Sequence, residues 1–327
     1  METETLTTEE ARWSGGWRMH PLLGFAISTV FVILVVSVSP VFLVFLMPRH
    51  PLAFEIAARG VPVVLIAIGY FLLVKYGERL PHGFDEAVAL PLRRRPVRDF
   101  LIGCGIAVAM VSVCVMLIAT IGEFNWRTAV TASAVRRTVI VLIMTLVAAL
   151  LEELMFRGYP FQRLALGLAA ISKSWVHLSS AATATAIGRV GAVLVFSALF
   201  GAIHLGNPGA SKLGFINTIA IGVTLAVTYF WTDSLWMPFG LHFGWNFVLG
   251  VVFGLPVSGL RIFETFAHGT AHGPRWLTGG SYGIEASATG TVVIVVATFL
   301  LLYRWRSAEL KSSGKADELP VAGIQEK

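Results

Sequence analysis

The chain has 327 residues, of which 56% are hydrophobic and only 13% are charged. Its mean hydropathy is +0.75, whereas about a quarter of the residues in a soluble globular domain are charged. This composition excludes an ordinary soluble enzyme and indicates a polytopic membrane protein. The formal net charge of +6 comes from basic residues between apolar runs, which is typical of cytoplasmic flanks. We therefore expect the lipid bilayer, and no nucleic acid, as a partner.

Eight apolar segments are long enough to cross a bilayer, which takes about 20 residues per helix. They lie at about 23–47, 56–75, 100–121, 138–156, 189–205, 213–231, 235–254 and 289–304. The sequence thus predicts an all-α fold, a polytopic transmembrane helical bundle of about eight helices, at 23–306. Residues 1–22 are predicted to be a cytoplasmic N-terminal segment and 307–327 a disordered cytoplasmic tail. A mildly basic connector (157–188), for which an interfacial amphipathic helix stays open, and a Gly-rich outer loop (255–288) separate some of the helices.

Basic residues predict the orientation of these helices, because loops rich in Lys and Arg stay in the cytoplasm. The densest cluster lies between the second and third segments and holds Arg79, Arg93, Arg94, Arg95 and Arg98. With eight crossings, both termini are then cytoplasmic, and we expect a multi-pass protein of the cell inner (plasma) membrane. Arg127, Arg136 and Arg137 would face outward, against the rule.

Few polar groups interrupt the apolar segments, and each is costly there, at about 2.5–3.5 kcal/mol for a charge at mid-bilayer. They are Glu152, Glu153 and Arg157 at the end of the fourth segment, His204 in the fifth, and His242 with Asn246 in the seventh. Such residues within a membrane helix mark a functional site by default.

Helical spacing separates the roles of the charges in the fourth segment. Glu153 and Arg157 are four residues apart, so they share a face and can pair. Glu152 is rotated about 140° from Arg157 at 3.6 residues per turn, which leaves it available for chemistry. The same four-residue spacing puts Phe200 one turn from His204, and His242 on one face with Asn246.

One carboxylate, two imidazoles and an amide can line a single cavity. Glutamate and histidine together can activate a water molecule, and histidine and asparagine can stabilise an oxyanion. Alternatively, Glu152, His204 and His242 form a ligand set for catalytic Zn²⁺ or another divalent metal ion. Structural explanations also stay open, since a membrane histidine often packs through a hydrogen bond and a buried Glu–Arg pair can be purely structural.

Three motifs now stand in order: E-E-x-x-x-R (Glu152 to Arg157), F-x-x-x-H (Phe200 to His204) and H-x-x-x-N (His242 to Asn246). They resemble the CAAX-protease and bacteriocin-processing (Abi) family of intramembrane proteases, which includes the type II CAAX prenyl endopeptidases. The resemblance covers about residues 138–254 and implies an endopeptidase that hydrolyses a membrane-associated peptide or protein, and whether the substrate is prenylated stays open.

By position, the resemblance makes Glu152 and His204 the water-activating pair, and His242 and Asn246 the oxyanion-stabilising pair. Glu153, Arg157 and Phe200 would be supporting residues. Whether the reaction uses a metal ion or is glutamate-dependent and metal-free stays open. So do a non-catalytic immunity or binding partner of the same fold, and a proton-coupled transporter, which would also bury Glu and His.

The predicted depths of these residues conflict. With straight helices, Glu152 falls near the cytoplasmic end of its segment and His204 near the outer end of its own. At 1.5 Å rise per residue the two side chains could not meet. Either a helix is broken or re-entrant, or a boundary is wrong. A fourth helix that continues to about residue 168, followed by an earlier start of the fifth, would place Glu152 near mid-membrane.

Overall fold

A computed structural model describes residues 19–46, 51–80, 83–92, 95–175, 180–261 and 265–317. Residues 1–18 and 318–327, predicted as parts of the two cytoplasmic ends, lie outside the described residues, as do Arg93 and Arg94. The architecture is a helical bundle with one two-stranded antiparallel sheet. The predicted all-α polytopic fold is confirmed.

The helices and strands follow in chain order. They are α1 (Pro21–Leu46), α2 (Pro51–Leu72), α3 (Phe84–Ala87), α4 (Pro96–Ile121), β1 (Glu123–Thr128), α5 (Ala132–Arg157), α6 (Tyr159–Trp175), α7 (Ala181–Ile203), α8 (Lys212–Thr232), α9 (Trp236–Phe247), β2 (Ala267–His272), α10 (Arg275–Thr278) and α11 (Ala288–Asp317). A π-helical turn, Leu73–Glu78, continues α2, and another, Val248–Val252, continues α9. A 3-10 turn, His204–Gly206, follows α7.

Seven helical stretches within the described residues are long and apolar enough to cross a membrane, so the count of eight is not confirmed. The segment predicted at 235–254 is the 12-residue helix α9 with its five-residue π-helical turn. It nevertheless packs along α4. The Leu235 N–H donates to the Ala89 carbonyl at 2.8 Å, before α4, and the Trp126 indole N–H, after α4, donates to the Val252 carbonyl at 3.0 Å.

The segment predicted as a connector at 157–188 contains a helix, α6, as the sequence allowed, but α6 continues the path of α5 and α7 already begins at Ala181. Helices α5 and α6 form one 43-residue stretch, Ala132–Ser174, interrupted at Gly158. A Cβ on Gly158 would lie 2.2 Å from the Leu154 carbonyl oxygen and 2.9 Å from the Tyr70 ring. Only glycine fits there, so the chain changes direction without leaving its helical path.

Helix α7 returns antiparallel along this stretch. Phe161 contacts Phe196, and Phe156 contacts Phe200, with ring centroids 5.6 and 5.2 Å apart. Glu152 lies one turn before Phe156 on α5, and His204 lies one turn after Phe200 on α7. Because the two helices are antiparallel, Glu152 and His204 are at the same level. The depth conflict therefore came from a wrong helix boundary, as the longer fourth helix and the earlier start of the fifth had predicted.

Helix α9 lies at the centre of the bundle, packed directly against α4. A Cβ on Gly240 would lie 2.0 Å from the Phe100 carbonyl oxygen, and one on Gly103 would lie 2.3 Å from the Met237 carbonyl oxygen. Because these glycines have no side chains, the two backbones touch. Leu241 and Trp245 are consequently almost fully buried, and His242 is carried into the interior.

Both ends of the described bundle lie on one face. A Cβ on Gly77, at the end of α2, would lie 3.0 Å from the methyl group of Met19, just before α1. The Tyr159 hydroxyl donates to Glu78 at 2.6 Å and Arg163 pairs with the same carboxylate, which joins the start of α6 to the end of α2. Near the end of α11, Trp305 stacks on Phe230, with centroids 6.1 Å apart, close to the chain that leads into α9. Arg79, directly after the π-helical turn of α2, lies on this face, and the two-stranded sheet, which follows α4, lies at the opposite face.

Two loop predictions need correction. The Gly-rich segment 255–288, predicted as a long outer loop, contains the short elements β2 and α10 and two 3-10 turns. Strand β2 pairs antiparallel with β1, so that Glu123 faces His272 and Thr128 faces Ala267. Helix α11 continues to Asp317, through the first part of the predicted disordered tail.

Candidate active site

One cavity of about 280 Å³ lies between α5, α7, α8 and α9. Its walls include Glu152, His204, His242 and Asn246, the four residues that the sequence placed on three separate segments. Apolar side chains such as Met110, Met144 and Leu241 complete the walls. A polar group in such surroundings is poorly solvated, so it interacts strongly with its few neighbours.

Glu152 reaches this cavity from α5. Its side chain is 28% exposed, and its Oε2 atom lies 3.7 Å from His242 Nε2. That separation is too long for a hydrogen bond, and Oε2 accepts no hydrogen bond from the described residues. One water molecule beside the two atoms could bond both of them. Glu152 thus keeps a free acceptor that faces a polar neighbour.

Glu153 and Arg157 form the buried ion pair that their spacing predicts. Arg157 Nη1 lies 3.1 Å from Glu153 Oε1, and the two side chains are 2% and 0% exposed. The guanidinium also donates to the Gly222 carbonyl at 3.3 Å. This arrangement pairs the charge of Arg157 inside the protein.

The ion pair also holds the imidazole of His242. Glu153 Oε1 lies 2.8 Å from His242 Nδ1, and a carboxylate oxygen that already accepts from Arg157 can only accept again. Nδ1 therefore carries the proton, and Nε2 faces Glu152. If Nε2 is also protonated, the two glutamates, Arg157 and His242 carry no net charge together. His242 can thus accept or donate a proton at Nε2.

His204 occupies the end of α7. Its Nδ1 lies 2.7 Å from the Phe200 carbonyl oxygen. Because a carbonyl only accepts, Nδ1–H is the donor, and the Nε2 lone pair is left for the cavity. The Phe200 ring lies beside both imidazoles, with centroids 4.8 Å from His204 and 5.8 Å from His242, and Arg157 stacks on it at 4.6 Å. Phe200 therefore spaces the two imidazoles.

Asn246 lies one turn beyond His242 on α9, half-buried, and lines the same cavity. Its amide can donate to a developing negative charge there. The π-helical turn at Val248 begins two residues later. Such turns are frequent at functional sites.

A metal site needs three or four ligands at short distances. Among the residues that the structure describes, no three His, Cys, Asp or Glu side chains have that arrangement. Glu152, His204 and His242 thus do not form a ready ligand set as they lie here, although the bond from His242 Nδ1 to Glu153 leaves Nε2 free, as in a metal-bound histidine.

Two further charged residues of the cavity were not singled out from the sequence as site residues. Arg59 pairs with Glu55, four residues before it on α2, and also lines the cavity. Glu285, on the 3-10 turn Ile284–Ala286, is 5% exposed and lines the cavity as well. The only sequence signal for Glu285 is a lone acidic residue beside the last apolar segment.

Residues 134–248 match the family model described as type II CAAX prenyl endopeptidase Rce1-like. The chain carries an Rce1-like domain. The resemblance drawn from the three motifs is thereby confirmed, and all of their residues fall inside the matched range. Searches of curated proteins and of solved structures gave no match. Glu285 and both β-strands lie outside the Rce1-like domain.

The Rce1-like family is a protease family, so the match supports an intramembrane protease of the CAAX type acting on a peptide substrate. The apolar helices around the Rce1-like domain make the chain a multi-pass membrane protein. Its cavity is the place in the described structure where carboxylate, imidazole and amide groups come together.

Proposed function

We propose that the protein is an intramembrane endopeptidase that hydrolyses a peptide bond with water activated by Glu152 and His204. The observation that supports this most is the convergence of Glu152, His204, His242 and Asn246 on one cavity. Glu152 Oε2, without a hydrogen-bond donor among the described residues, is the free base that such a reaction needs. Glu153, Arg157 and Phe200 hold the imidazoles in place.

In the proposed reaction, a water molecule donates one proton to the Glu152 carboxylate while its oxygen attacks the peptide carbonyl carbon. His204 Nε2 accepts a hydrogen bond from the same water and orients it. The carbonyl oxygen becomes an oxyanion and is stabilised by the Asn246 amide and by protonated His242 Nε2. The carbon–nitrogen bond then breaks, and the proton held by Glu152 passes to the leaving amine. Glu152 ends as a carboxylate again.

The proposed substrate is a membrane-associated peptide or protein, and prenylated peptides are the first class to test. The test compares a prenylated peptide with its unprenylated counterpart in proteoliposomes, with cleavage read by mass spectrometry. We expect Glu152→Ala and His204→Ala to abolish cleavage while the protein still inserts. Glu123→Ala, on the exposed strand β1, is the matched control and keeps the wild-type rate. Wild-type cleavage by either cavity variant would refute this mechanism.

A divalent metal such as Zn²⁺ stays a prediction, and no step of the proposed reaction uses it. Metal analysis of the purified protein, with cleavage measured before and after chelation and after metal is restored, tests it. Loss of cleavage on chelation, with recovery on adding Zn²⁺, would replace the metal-free reaction by a metal-assisted one.

We also propose that the protein lies in the plasma (inner) membrane with both termini in the cytoplasm. Two observations support this orientation: the link that holds Arg79, Arg95 and Arg98 is the most basic one, and the described ends of α1 and α11 share its face. Labelling of single cysteines placed at residues 5 and 325, with a reagent that does not cross membranes, tests it. Labelling of either site in intact cells would contradict it.

A further inference from the structure

Glu285 is a nearly buried carboxyl group that belongs to none of the three motifs. It lies in the 3-10 turn between β2 and α11 and is 5% exposed. It lines the same cavity as Glu152 and His204, yet it lies outside the matched range, residues 134–248. A carboxyl in this position needs donors inside the protein, and its partners reveal its role.

One carboxyl oxygen of Glu285 bonds the helix that carries the proposed oxyanion donors. Oε1 accepts the indole N–H of Trp245 at 3.0 Å. Trp245 lies between His242 and Asn246 on α9 and is 4% exposed. Its ring thus has little freedom to move, and the bond fixes α9 relative to the turn of Glu285.

The other carboxyl oxygen of Glu285 is connected to the turn of His204 by a chain of hydrogen bonds. Oε2 accepts the backbone N–H of Ser258, and the Ser258 carbonyl accepts the side-chain amide of Asn207 at 3.0 Å. The backbone N–H of Asn207 donates in turn to the His204 carbonyl at 3.1 Å. Three hydrogen bonds therefore join the Glu285 carboxyl to the residue proposed to orient water.

The backbone of the turn that carries Glu285 is also held in place. Asn217 of α8 donates to the carbonyls of Glu285 and Ser287, at 2.9 Å each. The Asn217 side-chain oxygen accepts the Thr291 hydroxyl of α11 at 2.8 Å. The carboxyl is thus held between two long helices instead of lying on a loose loop.

We propose that Glu285 is a positioning residue, which fixes the His204 turn at one distance from the pair His242 and Asn246. The inference rests on the proposed function, because the two groups it spaces are the water-activating and the oxyanion-stabilising halves of the site. Displacement of either half by about 1 Å costs about 100-fold in rate. Glu285 touches neither half directly, so it acts through Trp245 and Ser258.

The test compares Glu285→Gln and Glu285→Ala with wild type in proteoliposomes. Gln keeps the size, but its NH₂ must face one of the two N–H donors, and Ala removes both acceptors. The matched control is Glu78→Gln. Glu78 is 1% exposed, accepts from Tyr159 and Arg163, and does not line the cavity. The Glu78→Gln variant thus loses a comparably buried carboxylate outside the cavity.

We expect kcat to fall about 100-fold in Glu285→Ala and by a smaller factor in Glu285→Gln. KM should stay within about twofold, because binding interactions are unchanged. Glu78→Gln should keep the wild-type kcat per folded molecule. A kcat in Glu285→Ala equal to that of Glu78→Gln would overturn the positioning role.

Hydrogen–deuterium exchange gives a readout without catalysis. In Glu285→Ala, amides in 255–260 and 204–210 should exchange faster than in wild type, and in Glu78→Gln they should not. If the wild type cleaves nothing, the proposed function fails, while faster exchange at 204–210 still supports the link from Glu285 to His204. Unchanged exchange at 204–210 in Glu285→Ala would overturn that link, whatever the activity.

Discussion

Arg157 gives the sharpest test of how the charges in the fourth segment are arranged. Its side chain is 2% exposed and bonds Glu153 at 3.1 Å and the Gly222 carbonyl at 3.3 Å, and it stacks on Phe200 at 4.6 Å. Replacing it by methionine keeps most of its length but removes the charge. Glu153 then remains buried with His242 as its only partner among those described.

The expected cost follows from these contacts. Removing one partner of a buried ion pair destabilises a protein by about 3–5 kcal/mol, because the other charge is left uncompensated. A lost hydrogen bond between charged groups accounts for about 1.5–3 kcal/mol of this. We therefore expect Arg157→Met to lower the free energy of unfolding by about 3–5 kcal/mol.

The assay is unfolding by SDS titration in mixed micelles, followed by circular dichroism. The double variant Glu153→Leu with Arg157→Met removes both charges, so it should be more stable than the sum of the single effects predicts. We expect a coupling free energy of about 1–3 kcal/mol, the range for residues in contact. Additive effects, within about 0.5 kcal/mol, would refute the pairing of Glu153 with Arg157 as the source of stability.

Two further predictions concern Gly158 and Glu285. Gly158→Ala should lower the free energy of unfolding by about 1–3 kcal/mol, because a Cβ would lie 2.2 Å from a backbone oxygen. The same titration measures this change, and an unchanged free energy of unfolding would contradict the close contact. Burial raises the pKa of Glu285, and His204 opposes that rise, while Tyr282 is its other ionisable neighbour. At pH values between the ordinary pKa of a glutamate and the raised pKa of Glu285, this carboxyl group is deprotonated in the unfolded chain but protonated in the folded chain. Stability is therefore lost with rising pH, by at most about 1.4 kcal/mol per pH unit. The stability of wild type relative to Glu285→Gln should thus fall from pH 4 toward neutrality, and a constant difference would contradict the shift.

The sequence predicted the residues of the site better than their depth. Glu152, His204 and His242 stand out because an ionisable group is expensive inside an apolar segment, and the four-residue spacing correctly paired Glu153 with Arg157. The cost of an ionisable group and the four-residue spacing are both local properties of one helix, so the sequence alone reveals them. The predicted catalytic roles still await the variants described above.

The features that the sequence did not predict depend on contacts between distant residues. The sequence offered a helix that continues past Gly158 as one of several alternatives, and the packing of Gly158 against Leu154 and Tyr70 decides between them. Glu285 reads as a loop residue, since its partner Trp245 is 40 residues away. Arg59 pairs with Glu55 as its spacing predicts, but no local pattern says that a cavity lies beside it.

Helix α9 ends early, and its short length has a consequence for hydrolysis. With its π-helical turn it has 17 residues from Trp236 to Val252, about 25 Å at 1.5 Å per residue, so it falls short of a hydrocarbon layer of about 30 Å. The irregular chain beyond it, including Val257 and Ser258, forms part of the cavity wall. Non-helical backbone at membrane depth is stable only where protein covers it or water reaches it. In the proposed reaction, water consumed in each turnover would be replaced from the side of this irregular chain, where the apolar helix is shorter than the hydrocarbon layer.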